Sequence, residues 1–418
     1  MILKYLRLTF GDAIAANVIE QIMIYFVTQK TENELTKMFL KFYRFVDDFA
    51  MGHASKELLF QGAVDLQKSL NSLDFHLKRI LSNQSWHLKE NVTHLGPQWS
   101  IPAFPGEIEQ LFGHLWSHYE DTIQPKTQLF VGKKTRGAFK GVQFCEVDTF
   151  IITKRLLSSL IGQCFSLDGT FLSPIRCALK ILFHQVCSLT QEWNLNVSDT
   201  KVGKLCQQFL QLLKKRINDL KSHQRLIIKP DFTPTKLESF GDGSQFCASF
   251  CSYIIAKNSE EVSDSNICQA VCRLKNHSIP CNEMLGFVQA TENPVNYFIT
   301  HYNVLKTVKH LNIATDSKCL LYSLSPYKQH TSVLIRNGIR KCLSLAKNLT
   351  KRFDIQVNFY YCPSEMNPSD LNSKIPANLD VIEICNSEFW RHGPPCILDE
   401  DYPKSDDIFM TIKNGYRI

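Results

Sequence analysis

Long uninterrupted apolar runs are missing from this sequence of 418 residues. The most apolar stretch, residues 1–27, is interrupted by Lys4, Arg7, Asp12 and Glu20, whereas a membrane-spanning helix needs about 18 or more consecutive apolar residues. No compact apolar core with a small-residue cleavage site follows the first charges, so a secretory signal peptide is not expected either. We therefore expect an intracellular protein, cytoplasmic or nuclear, without a membrane partner.

Several catalytic signatures are absent as well. The sequence contains no P-loop, no dinucleotide-binding fingerprint, no nucleophile elbow and no D-[ST]-G sequence in the strand context of an aspartic protease. The enzyme classes that depend on those motifs are therefore not expected, and the function has to be sought in other residues.

The composition is that of an ordinary globular protein. Hydrophobic residues make up 44% and charged residues 21% of the chain, and the length predicts two to four domains. The net charge, 47 − 40 = +7, permits a polyanionic partner without requiring one. The 15 cysteines are odd in number and scattered among apolar neighbours, which favours reduced thiols and a reducing compartment.

Hydrophobic periodicity divides the chain into two parts of different character. In the first part, apolar residues recur at helical spacing over 56–74, 175–189 and 202–220, and the run FYRFVDDFAMG is typical of a hairpin with its acids near the turn. After a proline-containing linker at 226–238, strands and helices alternate, which predicts a mixed sheet with helices on its faces. These later elements are strands at 237–256 and 266–274, a helix at 282–300, a strand at 309–315, helices across 317–350 and a strand at 354–362.

Four acids of the second part stand where side chains from different elements can converge. Asp242 lies in SFGDGS on the first strand, Glu283 begins the helix after Pro280, Asp316 ends a strand in HLNIATDS, and Asp370 follows the last strand in NPSD. Phosphoryl transfer commonly uses two divalent cations about 3.5–4 Å apart, bridged by carboxylates because hard cations prefer oxygen ligands. Acids from several elements suit that chemistry.

Each acid taken alone also has a structural explanation. Asp242 can belong to a glycine turn, Glu283 can favour a helix N-terminus, Asp316 can cap the next helix, and Asp370 can form an Asx-turn. Only the joint order of strand Asp, helix Glu, strand Asp and late Asp favours one shared site.

These residues in their contexts resemble the ribonuclease H domain of BEL/Pao-type retrotransposon polyproteins. FGDGS is similar to the F-x-D-A-S signature of that domain, IPCNEML to I-P-R-L-E-L, TDS to its T-D-S, and NPSDLNSK to N-P-A-D-x-x-S-R. The resemblance implies that Asp242, Glu283, Asp316 and Asp370 hold two Mg²⁺ (or Mn²⁺) ions. It also implies a nuclease that cuts the RNA strand of an RNA/DNA hybrid.

The chain departs from the family pattern at several positions near these acids. Gly243 replaces the usual Ala, Cys281 and Asn282 replace Arg and Leu before Glu283, and Lys374 replaces the last Arg. None of these changes removes a carboxylate.

The first part resembles the reverse transcriptase of the same polyproteins. FVDD is similar to the Y-V-D-D hairpin of the palm, which implies that Asp47 and Asp48 are metal ligands of a polymerase remnant, and HLGPQW is similar to the L-G-x-x-W strand. The segment from KRLLSS to LFHQV resembles the thumb and connection, with Ser166 and Leu167 in place of Asp and Pro. In the family, the third palm carboxylate and the fingers lie upstream of LTFG, which only seven residues precede here, so we expect no polymerase activity from this chain alone.

The resemblance therefore implies a multidomain α+β and α/β protein. Its expected parts are a truncated palm at 1–105, a thumb and connection region at 106–230, a ribonuclease H-like domain with a five-stranded mixed sheet at 235–378, and a tail towards an integrase module at 379–418. The expected partners are an RNA/DNA hybrid or other nucleic acid and further retroelement polyprotein products. The alternative function is a non-catalytic nucleic-acid-binding remnant or a domesticated scaffold.

Overall fold

A computed structural model describes the fold over the following residues: 31, 33, 36–37, 44–45, 48–49, 55–72, 74–76, 109–111, 114–117, 122–125, 128–135, 138–164, 173–217, 223–224, 233–245, 247–257, 273–274, 277–325, 332–374, 381–399 and 401–417. They belong to two compact units, one comprising residues 1–124 and 222–230 and the other residues 125–221 and 231–418. None of the helices within these residues is long and apolar enough to cross a membrane.

The strands and helices are numbered in chain order. The strands are β1 (Arg44–Phe45), β2 (Asp48–Phe49), β3 (Glu109–Leu111), β4 (His114–Ser117), β5 (Thr122–Pro125), β6 (Phe130–Thr135), β7 (Ala138–Gln143), β8 (His223–Gln224), β9 (Thr233–Gly243), β10 (Cys247–Lys257), β11 (Arg273–Leu274), β12 (His310–Thr315), β13 (Gln356–Tyr361), β14 (Ile408–Lys413) and β15 (Tyr416–Arg417). The helices are α1 (Lys56–Asn71), α2 (Lys154–Gln163), α3 (Ser173–Leu189), α4 (Lys201–Arg216), α5 (Ile279–Thr300), α6 (Tyr302–Leu305), α7 (Lys318–Ser323), α8 (Val333–Phe353), α9 (Pro368–Ser373), α10 (Val381–Asn386) and α11 (Glu388–His392).

The smaller unit contains the predicted hairpin and the predicted amphipathic helix. In the hairpin, β1 pairs antiparallel with β2, and Asp48 is opposite Phe45; Asp47 lies outside the described residues. Helix α1 begins after Ser55, whose hydroxyl oxygen accepts a hydrogen bond from the backbone N–H of Leu58, a standard way to satisfy a free helical donor. A small sheet has the order β3-β4-β5-β8.

The larger unit is built on a seven-stranded mixed sheet with the order β11-β10-β9-β12-β13-β14-β15. The three strands β9, β12 and β13 are parallel neighbours, and the remaining neighbours pair antiparallel. The predicted mixed sheet is confirmed, but the predicted number of five strands is too low. The two additional strands, β14 and β15, come from residues 379–418, because pairing with β13 is a distant contact that local periodicity does not reveal.

Each face of this sheet has its own hydrophobic core. Residues that alternate along the strands, such as Leu237, Ile313 and Phe359, point to one face and pack with helices α5 and α8. The intervening residues, such as Phe240 and Tyr360, point to the other face, as the two-residue period of a strand requires. That second core also contains buried residues of α2, α3 and α4, so these helices and the sheet share one core. The predicted domain boundaries themselves stay predictions.

A row of polar side chains is buried along this second face. The carboxylate of Glu238 accepts hydrogen bonds from Asn312 Nδ2 at 2.6 Å and from the hydroxyl of Tyr360 at 3.3 Å. Burial raises the pKa of Glu238 to about 8. The neighbouring Lys236 donates to the backbone carbonyls of Asp399 and Tyr402 at 2.6 and 3.0 Å, which ties the C-terminal segment to the first strand of the sheet.

Helix α5 and strand β9 approach each other so closely that only glycine fits between them. A Cβ added to Gly286 would lie 2.1 Å from the carbonyl oxygen of Asp242, and a Cβ on Gly243 would lie 2.0 Å from the backbone nitrogen of Glu283. A Cβ on Gly241 would lie 2.9 Å from the backbone of Gly286. The backbones of helix and strand are therefore in direct contact.

This contact predicts the effect of adding one methyl group. Gly286→Ala should lower the free energy of unfolding by about 1–3 kcal/mol, because the new Cβ meets backbone atoms that cannot move without separating helix from strand. The matched control is Gly162→Ala in α2, an exposed position where a Cβ meets nothing within 4 Å; it should raise that free energy by about 0.5–1 kcal/mol. Urea denaturation followed by circular dichroism measures both, and equal effects would contradict the close approach.

Candidate active site

The sheet topology brings Asp242 and Asp316 to the same edge of the sheet. Asp242 is the penultimate residue of β9, and Asp316 directly follows β12. The two strands are parallel neighbours with Thr315 opposite Gly241, so the next positions, Asp316 and Asp242, are side by side. Both acids point to the same face, because successive side chains of a strand alternate.

The close packing of α5 on β9 places Glu283 at this edge. Glu283 lies in the first turns of α5, directly above Gly243. One residue earlier, Asn282 Nδ2 donates to the carbonyl of Ser244 at 2.9 Å. Glu283 Oε2 accepts a hydrogen bond from Ser317 Oγ at 2.7 Å, and Ser317 is the residue after Asp316. Glu283 is therefore joined to the end of β12.

Asp370 reaches the same edge on the short helix α9. The side chain of Asn367 caps this helix by accepting from the backbone N–H of Ser369, and its Nδ2 donates to the carbonyl of Gly241 at 3.3 Å. Ser249 Oγ on β10 donates to the carbonyl of Ser369 at 2.7 Å. Two strands thus fix the start of the helix whose first turn carries Asp370.

The pKa shifts show that the four acids affect one another. The pKa of Asp242 is raised to about 6, chiefly by burial; a hydrogen bond with Ser373 opposes the rise, and the negative charges of Asp316 and Asp370 add to it. Burial also raises the pKa of Glu283, with a hydrogen bond from Ser317 lowering it and the charge of Asp316 raising it. Like charges near one another in a partly buried place produce such shifts, so Asp242 lies within electrostatic reach of Asp316 and Asp370, and Glu283 lies within reach of Asp316.

Each carboxylate has a protein partner. Ser364 Oγ donates to Asp316 Oδ2 at 2.6 Å. The ammonium of Lys374 forms an ion pair with Asp370. This contact raises the pKa of Lys374, and the charges of Asp242 and Asp316 act in the same direction. A cation of the chain itself therefore lies beside three of the four acids.

Binding of one metal ion requires several ligand side chains close to a single point. Within the described ranges, no three His, Cys, Asp or Glu side chains lie close enough to hold one metal ion. The other two predicted ligands are in the smaller unit, with Asp48 on β2 and Asp47 outside the described residues. The assignment of metal ligands stays a prediction.

The sequence reasoning missed the partners of the acids. Ser317 is the serine of TDS, and Ser364 and Ser373 flank Asp370 at a short distance along the chain. Serines are common in loops, so only their position next to the acids could have indicated a role. Gly286 also went unnoticed, although it lies almost one helical turn after Glu283 and faces the same strand.

The comparisons with known proteins found one matching family model and several similar solved structures. No curated protein matches the chain. RNase H1 from the archaeon Halobacterium salinarum NRC-1 is 11% identical with a TM-score of 0.24, over 32% of this chain and 90% of that one. The N-terminal RNase H domain of a Mycobacterium tuberculosis protein is 12% identical with a TM-score of 0.25, over 34% and 96%. The foamy viral protease-reverse transcriptase in complex with double-stranded DNA is 12% identical with a TM-score of 0.37, over 75% and 44%.

A protein-family model covers the middle of the chain. The match begins at the capping residue of α2 and ends two residues after β12, so it includes helices α2 to α6 and the strands β8 to β12. Three of the four acids, Asp242, Glu283 and Asp316, lie inside it, and Asp370 lies beyond its end. Residues 153–317 match the Pao retrotransposon-like RNaseH-like domain, which confirms over this segment the family recognised in the sequence.

Proposed function

We propose that the larger unit is a divalent-metal-dependent endonuclease that cleaves the RNA strand of an RNA/DNA hybrid. One observation carries the proposal: four carboxylates from β9, α5, the end of β12 and α9 lie at one edge of the sheet. Burial raises the pKa values of Asp242 and Glu283, and the charge of Asp316 adds to both shifts. The family match over residues 153–317 supports the same reading.

The donor set fits hard divalent cations in its chemistry. All four groups are carboxylates, and oxygen ligands are what Mg²⁺ and Mn²⁺ prefer. The repulsion that raises the pKa of Asp242 is also relieved by a cation placed among the acids. A cation that binds Asp370 has to displace the ammonium of Lys374 from that carboxylate. A cation that binds Asp316 has to displace the hydroxyl of Ser364, or share the carboxylate with it.

The cations and the residues of the chain would contribute differently to cleavage. When bound, two divalent cations supply charge stabilisation for the attacking and leaving oxygens of the phosphodiester. Ser317 holds the carboxylate of Glu283, and Ser364 holds that of Asp316, so both ligands are oriented before the substrate arrives. Recognition of a hybrid through its backbone and 2′-hydroxyl groups makes cleavage tolerant of sequence.

A non-catalytic nucleic-acid-binding remnant is the second candidate. Its support is the ion pair between Lys374 and Asp370, together with the lack, within the residues described, of three ligands around one point. In this case the acids would be neutralised by the chain itself. The polymerase remnant, with Asp47 and Asp48 as its ligands, and the partnership with other polyprotein products stay predictions.

Removal of single carboxylates separates the two candidates. Asp242→Asn and Asp316→Asn should each lower Mg²⁺-dependent cleavage of a labelled hybrid by at least about 100-fold, because loss of a ligand exceeds the about 10–100-fold effect of losing its supporting partner. Asp354→Asn is the isosteric control: Asp354 caps α8 with a φ of 54°, a conformation that Asn tolerates. The proposed nuclease site is wrong if the unaltered chain does not cleave, or if cleavage survives both site variants; absence of cleavage together with binding of the hybrid favours the remnant.

The raised pKa of Asp242 also predicts how stability depends on pH. The folded state binds this proton with a pKa of about 6, above the about 3.9 of a free Asp, so the free energy of unfolding falls as the pH rises from about 4 to 6. With a chelator present at pH 7, Asp242→Asn should therefore raise that free energy by on the order of 1–3 kcal/mol, and the gain should shrink to near zero at pH 4. Urea denaturation at both pH values tests this, and an equal gain from Asp242→Asn at pH 4 and pH 7 contradicts the raised pKa of Asp242.

A further inference from the structure

Helix α8 carries an unbalanced row of positive charge. The helix contains six basic residues and no acidic residue. One side of it is buried in the core that it shares with α5 and the sheet, through Gly338, Cys342, Ala346 and Leu349. The basic residues lie on the other sides, exposed to solvent.

Four of these residues form a straight line, which we call the basic stripe. The basic stripe consists of Arg336, Arg340, Lys347 and Lys351, all exposed. At 3.6 residues per turn they fall within a sector of about 60°, and at 1.5 Å per residue the first and last are about 22 Å apart along the axis. The sector lies nearly opposite the buried side of the helix.

In the part of the chain that the structure describes, no carboxylate neutralises the charges of the basic stripe. Among the described residues, no carboxylate lies within ion-pair distance of its four members, whereas Lys341, on another side of α8, pairs with Glu292 at 2.7 Å. Arg336 with Arg340 and Lys347 with Lys351 are like-charged pairs at i,i+4, each destabilising a helix by about 0.2–0.5 kcal/mol. Folding alone does not account for this arrangement.

The basic stripe begins beside the candidate active site. Ser332, at the start of α8, has its Oγ 3.9 Å from the Sγ of Cys281, two residues before Glu283. The far end, at Lys351, lies near Gly415 in the turn between β14 and β15. The line of charge therefore runs from the carboxylates towards the far end of α8.

We propose that the basic stripe binds the sugar-phosphate backbone of a nucleic-acid duplex where it extends beyond the candidate active site. The inference rests on the proposed function in that the duplex is the hybrid held at the four carboxylates. At 3.4 Å per base pair along one strand, the stripe matches about six or seven base pairs. Phosphates supply the regularly spaced negative charge that a 22 Å line of four cations complements.

The test compares charge reversal on the basic stripe with charge reversal elsewhere. The stripe variant is Arg340→Glu with Lys347→Glu; the control is Lys201→Glu with Lys204→Glu on α4, two exposed lysines of the same compact unit, so that the net charge changes equally. Fluorescence anisotropy measures binding to hybrids of about 8 and 24 base pairs at several salt concentrations, with Ca²⁺ in place of Mg²⁺. Circular dichroism confirms that both variants remain folded.

The stripe variant should bind the long hybrid at least about 10-fold more weakly, and the slope of log Kd against log salt should fall by about 1.8, as expected for two lost phosphate contacts. Binding of the short hybrid and its cleavage in Mg²⁺ should change less than about 2-fold, as should the control on both hybrids. Equal losses in stripe variant and control, or no loss in either, overturn the proposal. Loss of binding to anionic lipid vesicles but not to the hybrid overturns it too.

The two proposals fail in different ways. If the unaltered chain binds the long hybrid through the basic stripe but cleaves no hybrid of either length, the proposed nuclease function is wrong and the binding surface remains. If it cleaves both hybrids and the stripe variant cleaves and binds them equally well, the nuclease remains and the binding surface is wrong.

Discussion

The contact of α5 with β9 is the constraint on which the candidate site depends. Gly241, Gly243 and Gly286 leave the two backbones with no Cβ between them, and this places the start of the helix against the end of the strand. Glu283 and Asp242 are neighbours for that reason. The same contact explains why Gly243 stands where the related motif has Ala, since a Cβ there would lie 2.0 Å from the nitrogen of Glu283.

The site concentrates negative charge at a cost in stability. Burial and mutual repulsion disfavour the ionised form of Asp242, and such a conflict between stability and function is common where a protein binds a cation or substrate. The protein offsets part of it locally, through Ser317, Ser364 and the ammonium of Lys374. A binding cation therefore competes with groups that the chain itself supplies.

The rest of the larger unit supports this edge from both faces of the sheet. On one face, α5 and α8 form the core under the site; on the other, α2, α3 and α4 share a core with β9, β10 and β13. The polar row around Glu238 ties residues near Asp399 and Tyr402 to the first strand. The modest net charge of +7 is likewise distributed unevenly, since α8 alone contributes six positive charges and no negative one.

The sequence by itself determined the order of elements and the identity of the acids. Hydrophobic period and motif context were sufficient because helix, strand and motif are local properties: the helix at Ile279–Thr300 and the strands at His310–Thr315 and Gln356–Tyr361 lie within a few residues of their predicted positions. The family resemblance is confirmed over residues 153–317, and the role that it implies for the acids stays a prediction.

Only the tertiary structure decided which of these residues meet. The pairing of β14 with β13 and the serines that hold Glu283 and Asp316 depend on contacts between distant parts of the chain. A sequence pattern records the period of one element at a time. It does not reveal how closely the backbones of α5 and β9 approach each other, and that distance determines the position of the Glu283 carboxylate.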